Sequence, residues 1–454
     1  MKISDPITLP ISGLTIKNRL CKSAMTEGLC DEYARATKKH VTLYSAWAKG
    51  GCGLLVTGNV QIDRRYLERP GNVCIDGPQD EKQMQALRNY AKAAQKNGTK
   101  CFVQISHPGR QANIMVAKQS PAPSAIPIKG LMPVAEPFEM SNAVVKETIQ
   151  KYVDAALVCK EAGFDGVQLH SAHGYLLSTF LNPLANVRSD EYGGPLENRA
   201  KPLLDTIRAV RQAVGEDFAV GVKINSSDFQ KGGFTHHDAI VVAEWLDNER
   251  LDFIELSGGN YESPAMVGEL GKKKSTVERE AYFLKYARDI KQAVSKTPLM
   301  VTGGFRSRDV MENALTNDGI GMIGLGRPLC LKTDCVNDLL EGRIDTLKSP
   351  ETYWVFPWYL KWMKLLLGSL AKIGTDMGSM YWNLYLAGDG KPMLDQPNVL
   401  LSMMRTNIKD YQVGTSLKGL PLDDPTLQQN QPKSKIPVYI LVVLLAIYLF
   451  RKMN

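Results

Sequence analysis

From residue 19 to residue 345, short runs of almost unbroken apolar residues alternate with longer stretches whose apolar positions recur every three or four residues. The short runs predict strands at Arg19–Ala24, Leu54–Val60, Lys100–His107, Gly166–Ala172, Ala219–Ser226, Phe253–Gly259, Leu299–Gly304 and Ile320–Arg327. The longer stretches predict helices, among them Glu81–Asn97, Glu147–Ala162, Asn198–Val214, His237–Asn248 and Val277–Ser295. Strands without alternation belong in a sheet buried on both faces, which is the parallel kind. Eight strand–helix units in a row imply an α/β fold of the (β/α)8 TIM barrel class. A doubly wound sheet is the alternative, but it seldom runs to so many regular repeats.

A barrel of this class carries its chemistry at the C-terminal ends of its strands. The polar and glycine residues collect there. The first strand ends in Ser23-Ala24-Met25-Thr26, the second in Thr57-Gly58-Asn59, and the third carries Gln104 ahead of Ser106-His107-Pro108-Gly109-Arg110. The fourth delivers His170, His173 and Tyr175, and the fifth carries Lys223. The seventh and eighth end in Gly303-Gly304 and Gly324-Leu325-Gly326-Arg327. Glycines at those two ends let backbone N–H groups approach a phosphate, and an arginine adds a bidentate charge. No G-x-G-x-x-G opens a helix after a first strand and no Walker A loop is present, so the phosphate belongs to a ligand lying across the barrel mouth.

Two of the six histidines stand three residues apart beside a phenol in Val167–Arg199. A His-x-x-His pair is compatible with zinc, but no third ligand lies nearby, and structural histidines are the other plain reading. Two ring N–H groups can also grip one carbonyl oxygen while a tyrosine supplies a proton.

The composition narrows the class. The chain has 454 residues, 44% hydrophobic, with a net charge of +8 spread along its length, so nucleic-acid binding is not suggested. Its eight cysteines fall in or beside apolar segments, as reduced core residues in a cytosolic setting do. The first residues, MKISDPITLP, lack the apolar core of a secretory signal.

The sequence resembles the Old Yellow Enzyme family of FMN-dependent oxidoreductases over roughly residues 3–345. The resemblance rests on Leu14–Leu20 followed by Ser23–Thr26, on Gln104–Gln111, and most specifically on Val167–Arg199. It implies bound FMN, with NADPH or NADH as co-substrate. Ser23, Ala24, Met25 and Thr26 would line the flavin, Gly58 would approach it through its backbone, and Gln104 would meet its pyrimidine edge. Lys223 would stand where the family often has arginine, beside N1 and O2, and Gly303, Gly304, Gly326 and Arg327 would hold the phosphate. His170 and His173 would bind the carbonyl of an activated alkene and Tyr175 would protonate it. The implied activity is an NAD(P)H-dependent ene-reductase. A dehydrogenase or oxidase that uses a quinone or O2, and a non-catalytic flavin-binding scaffold, are the alternatives. Larger relatives hold an iron–sulfur cluster just past the barrel, but only Cys330 and Cys335 stand there, so none is expected, and no other metal. The loops Gln119–Met140 and Tyr261–Glu280 would select the substrate.

The domain reading is therefore a barrel over residues 1–345, a Trp-rich helical extension over 346–419, a polar linker over 420–435 and an apolar tail over 436–450. Trp354, Trp358 and Trp362 share a helical face, which predicts packing on the barrel's flank, with an interfacial membrane helix as the alternative. The tail, IPVYILVVLLAIYLF, has no charge and is flanked by Lys433, Lys435, Arg451 and Lys452. As a helix it reaches about 22 Å, short of a bilayer core of roughly 30 Å, and flanking lysines can snorkel. It predicts a single transmembrane tail anchor with the barrel in the cytosol, on the endoplasmic reticulum or the mitochondrial outer membrane.

Overall fold

The computed structural model describes residues 1–129, 133–259, 262, 276–350, 354 and 369–417. Eight strands form the barrel: β1 (Leu20–Lys22), β2 (Leu54–Val56), β3 (Lys100–Ser106), β4 (Gly166–Ser171), β5 (Ala219–Asn225), β6 (Phe253–Ser257), β7 (Leu299–Thr302) and β8 (Met322–Leu325). Each pairs in parallel with the next, and β8 closes on β1. The helices between them are α1 (Lys38–Lys49), α2 (Glu81–Ala94), α3 (Asn142–Glu161), α4 (Leu196–Val214), α5 (His236–Leu246), α6 (Thr276–Ala293) and α7 (Arg308–Asn317). The sequence expectation for the barrel is met strand by strand, with the ladders shorter than the apolar runs. Helix α3 starts five residues before its expected start, at Asn142, because Ser141 caps it by accepting the Val144 N–H at 3.4 Å.

The strands do alternate, although the sequence reads as continuous. Their outer face is aliphatic throughout, with Val103, Ile105, Val167, Leu169, Val220 and Val222 among the residues packed against the helices. The inner face changes with height. At the bottom it is apolar: Cys21, Leu54, Phe102, Phe253, Met300 and Met322 pack together with Ile7 and Ile16. Those last two belong to an antiparallel ribbon, Ile7–Thr8 with Thr15–Ile16, that plugs the floor. Phe102 and Phe253 face each other with ring centroids 5.7 Å apart. Glycines make room for them: a Cβ on Gly221 would lie 2.4 Å from the Phe253 ring, and one on Gly166 2.9 Å from Phe102. Two residues higher along the same strands the inner face turns polar, at Gln104, Gln168, Lys223 and Glu255.

After the barrel come α8 (Ser369–Gly388) and α9 (Val399–Ser416). They cross tightly at Gly378, whose Cβ would meet the Met403 Cα at 2.6 Å. Asp389 pairs at 2.7 Å with Lys39 in the first turn of α1, the end of that helix nearest the C-terminal end of β1. Trp354 is buried and donates to the Asp395 carbonyl at 2.9 Å, while Trp358 and Trp362 lie outside the described residues. The linker 420–435 and the apolar tail 436–450 also lie outside them. No helix among the described residues is long and apolar enough to cross a membrane.

One carboxylate ties the floor together. Asp252 is fully buried and accepts from Arg211 Nη2, the Val220 N–H and the Ser12 N–H, each at 2.8 Å. Removing it strands the buried Arg211 cation, so Asp252→Ala should cost about 3–5 kcal/mol. Losing only the half-exposed Ser12 hydroxyl should cost about 1 kcal/mol. Urea unfolding of the two variants separates these outcomes.

Candidate active site

A cavity of about 310 Å³ opens at the C-terminal ends of the strands. Ser23, Ala24, Met25 and Thr26 line it after β1, Lys223 on β5, Gly303 and Gly304 after β7, and Gly326 and Arg327 after β8. His173 reaches it after β4. These residues come from five places in the chain and meet because the barrel closes.

The glycine-rich ends have a steric reason. A Cβ on Gly324 would lie 1.8 Å from Thr302 Oγ1 and 2.3 Å from Ser23 Oγ, two hydroxyls that bond each other at 2.7 Å. Gly303 and Gly304 both adopt positive φ, 132° and 84°, where a side chain is strained. Arg306 adds a second guanidinium to the wall, braced by Ser349 Oγ at 2.7 Å. Among the described residues of the wall, Arg306 and Arg327 stand with one carboxylate, Asp376, while the charge of Lys223 is matched by Glu255 behind it. The wall therefore favours an anion.

Lys223 does not stand alone. Its Nζ lies 2.9 Å from Glu255 Oε1, and both side chains are almost wholly buried. The contact is a charge pair without hydrogen-bond alignment. Glu255 Oε2 accepts from Gln168 Nε2 at 2.6 Å, and Gln168 Oε1 accepts from Gln104 Nε2 at 2.7 Å. A polar chain thus crosses the barrel from β3 to β5. Gln104 is held in this layer through its amide N–H and is not among the residues that line the cavity. Gly58 is also off the wall. Its N–H donates to Glu27 Oε1 at 3.0 Å, and its Cβ would lie 2.4 Å from the Met25 carbonyl, so the glycine lets the β1 and β2 ends touch.

His170, His173 and Tyr175 form one cluster. The His170 ring lies 5.3 Å from His173 and 4.6 Å from Tyr175, each edge-on. The Ala172 N–H donates to His170 Nδ1 at 3.2 Å, which puts the ring proton on Nε2. His173 adopts a left-handed backbone, φ 61°, followed by Gly174 at 80°, and this reversal folds its ring back over β4. Its N–H donates to Asn225 Oδ1 at 3.1 Å and its carbonyl accepts from Gln111 at 2.8 Å. His173 Nε2 bonds Ser257 Oγ at 2.7 Å. The Tyr175 hydroxyl accepts from Asn59 Nδ2 at 3.2 Å. Thr26 Oγ1 donates to Glu68 at 3.1 Å. Burial first pushes both imidazoles well below the usual histidine range, followed for His170 by His173 and then Lys223 and for His173 by Lys223, so both are neutral.

Several lining residues escaped the sequence reading. Ser257 and Thr302 are the inward C-terminal positions of β6 and β7, which the period of two would have found. Met377, Met380, Tyr381 and Leu384, with Asp376, come from α8. Their spacing marks one helical face, but nothing in the sequence says that the face looks into the barrel. No group of three or more candidate metal ligands occurs among the described residues.

Comparison with known proteins gives a consistent picture. The family model for the NADH:flavin oxidoreductase / NADH oxidase family matches residues 2–346. The NADH-dependent flavin oxidoreductase iliE of Hypocrea jecorina is 37% identical, over 79% of this chain and 95% of its own length. The NADPH dehydrogenase of Listeria innocua is 30% identical, over 76% of this chain and 96% of its own. Among solved structures, the Old Yellow Enzyme homologue from Zymomonas mobilis superposes with a TM-score of 0.63 at 24% identity, covering 79% of this chain and 98% of that one.

Burial also lowers His40 and His107 to about 4. Unfolded, all four of these histidines titrate near 6.5, so from there down toward pH 4 the unfolded chain binds protons that the folded one does not. Stability is therefore full above pH 6.5 and should fall as the pH drops through that window. His40 is also the third residue of α1 and accepts the Thr37 N–H at 3.0 Å. His40→Gln keeps that acceptor and should flatten the slope by about one proton, ~1.4 kcal/mol per pH unit, in urea midpoints measured from pH 7 to 4.5.

Proposed function

The chain belongs to the NADH:flavin oxidoreductase / NADH oxidase family, which includes the Old Yellow Enzymes, and from that premise we propose that it passes hydride from NADH or NADPH, through bound FMN, to the β-carbon of an activated alkene. It is an NAD(P)H-dependent flavin oxidoreductase by membership; the acceptor is the proposal. The observation that carries it is the His170–His173–Tyr175 cluster, two neutral imidazoles and a phenol converging beside an anion-favouring cavity.

The residues present fit FMN. Backbone at Gly303, Gly304 and Gly326, with Arg306 and Arg327, suits its phosphate, and Ser23 through Thr26 suit its ring system. Lys223 would supply a cation to the bound group, with Gln104 and Gly58 supporting from behind the wall. When bound, FMN supplies the hydride-accepting and hydride-donating centre.

The protein's own part is to hold the acceptor and manage a proton. His170 Nε2–H donates to the carbonyl oxygen, and the negative charge that builds there is stabilised without protonating the ring. Such a donor contributes about 3–4 kcal/mol in other enzymes. His173 Nε2 exchanges its Ser257 bond for the same oxygen. Tyr175 delivers a proton to the α-carbon. The Asn59 amide N–H already points at its oxygen, so the phenolate left behind keeps a donor. A phenol is an established general acid for such a transfer. The NADH-dependent and NADPH dehydrogenase relatives support either nucleotide as reductant.

The tail at 436–450 supports a further proposal, that the chain is tethered to a membrane with its barrel in the cytosol. Its charge-free run and flanking lysines and arginine are the basis.

Tyr175→Phe should leave reduction by NADH or NADPH intact and slow cyclohexenone turnover by about 10²-fold, read by anaerobic stopped flow of the two half-reactions. Equal loss of both half-reactions sinks the assignment, and a reduced protein reoxidised by quinone or air but not by cyclohexenone replaces the alkene with those acceptors. For the tail, cells producing the full chain should hold it in the membrane fraction, and a chain ending at Lys435 should move to the soluble one. Full-length protein found soluble ends that proposal.

A further inference from the structure

Helix α8 places five residues in the wall of the cavity, at spacings of one, four, five and eight from Asp376: Met377, Met380, Tyr381 and Leu384 follow it along one face. They share that wall with the glycine-rich ends of β7 and β8 and with Met25 and Cys330, whose sulfurs lie 3.5 Å apart. Of the imidazole–phenol cluster, only His173 lines the same space. The helix therefore covers the sector over β8 and β1, where a phosphate-bearing ring system fits, and leaves His170 and Tyr175 outside the wall it shares.

Two anchors hold it there. At the β8 side, Asn383 Nδ2 donates to the Cys330 carbonyl at 3.0 Å and to the Leu394 carbonyl at 2.9 Å. At the β2 side stands Arg69, in the loop between β2 and α2 and 5% exposed. Its Nε is 3.0 Å from both Asp410 oxygens on α9, and its Nη2 donates to Tyr385 Oη on α8 at 3.0 Å. The guanidinium lies 3.6 Å over the Tyr381 ring. Its opposite face rests on Gly28, where a Cβ would be 3.0 Å from Arg69 Cζ; Gly28 also has a positive φ of 69°. One planar cation thus meets a carboxylate, a hydroxyl, an aromatic face and bare backbone. Lysine offers the charge but no plane.

We propose that the α8–α9 hairpin is the closing wall of the cofactor site and that Arg69 is the positioning residue that keeps Tyr381 and its neighbours in that wall. The proposal rests on the FMN reading and adds to it: the barrel supplies the phosphate and ring contacts, and the extension retains the cofactor. Removing the wall should therefore show chiefly in how fast FMN leaves.

The test uses full-length protein stripped of flavin, with FMN affinity and release followed by flavin fluorescence. Tyr381→Ala and Arg69→Lys should each weaken binding by about tenfold or more, through faster release. Trp382→Leu is the control. It alters the contact of Trp382 with Arg405 of α9, 5.0 Å from the ring, without touching the cavity, and should stay within about twofold. Unchanged affinity in Tyr381→Ala and Arg69→Lys overturns the proposal. Equal weakening in all three overturns it too, because the effect is then hairpin stability and not the wall. Wild-type protein that takes up no FMN at all overturns the cofactor reading itself.

Discussion

A cation and a carboxylate buried side by side inside a closed barrel set the terms for much of this structure. Lys223 and Glu255 stand on neighbouring strands in direct register, and both are almost wholly buried. A buried charge without its partner is costly, so the pair is kept only where the sheet holds both in place. Glu255 has oxygens to satisfy beyond Lys223, which draws in Gln168, and Gln168 in turn draws in Gln104. Four strands are thus committed to one polar layer. Below it the interior is dry and aromatic; above it lie the cavity and the imidazoles whose charge state Lys223 helps to fix.

The architecture was legible because each strand–helix unit carries its own periodicity, and closure of a (β/α)8 barrel needs no information beyond their number and order. Eight strand positions, and the gathering of polar and glycine residues at one rim, were legible from patterns of this local kind. Ten of the fourteen residues singled out in the sequence line the cavity. Gln104 and Gly58 do not, and the reason is a partner in each case: the donor of one is taken by Gln168, and the N–H of the other by Glu27. Nothing near Gln104 in the sequence names Gln168, which is 64 residues away. The contribution of α8 was hidden for the same reason. Its apolar face is visible, but whether it packs on a flank or looks into a mouth depends on Arg69, more than three hundred residues earlier.

Functions are divided spatially at the mouth. The imidazole–phenol cluster is organised by side chains of the barrel itself: Asn59, Asn225 and Ser257 each fix one of its groups. The anion-favouring cavity is shared between barrel ends and the C-terminal extension. Retaining a cofactor would then draw on the extension as well as the barrel, whereas the proton-handling groups belong to the barrel alone, with His173 reaching into both.

The nesting of Gly221 and Phe253 in the floor has a consequence for inheritance. Gly221 exists in the space that the Phe253 ring leaves, whereas Gly166 is hemmed in first by the Ala219 carbonyl, 2.5 Å from where its Cβ would stand. Neither member of the Gly221–Phe253 pair can drift alone. Enlarging the glycine drives a methyl group into a ring, and shrinking the ring opens a void that the glycine cannot fill. Descendants that repack this layer must pass through a poorly folded single mutant or change both positions together. The pair is best regarded as one heritable unit, spelled by residues on neighbouring strands.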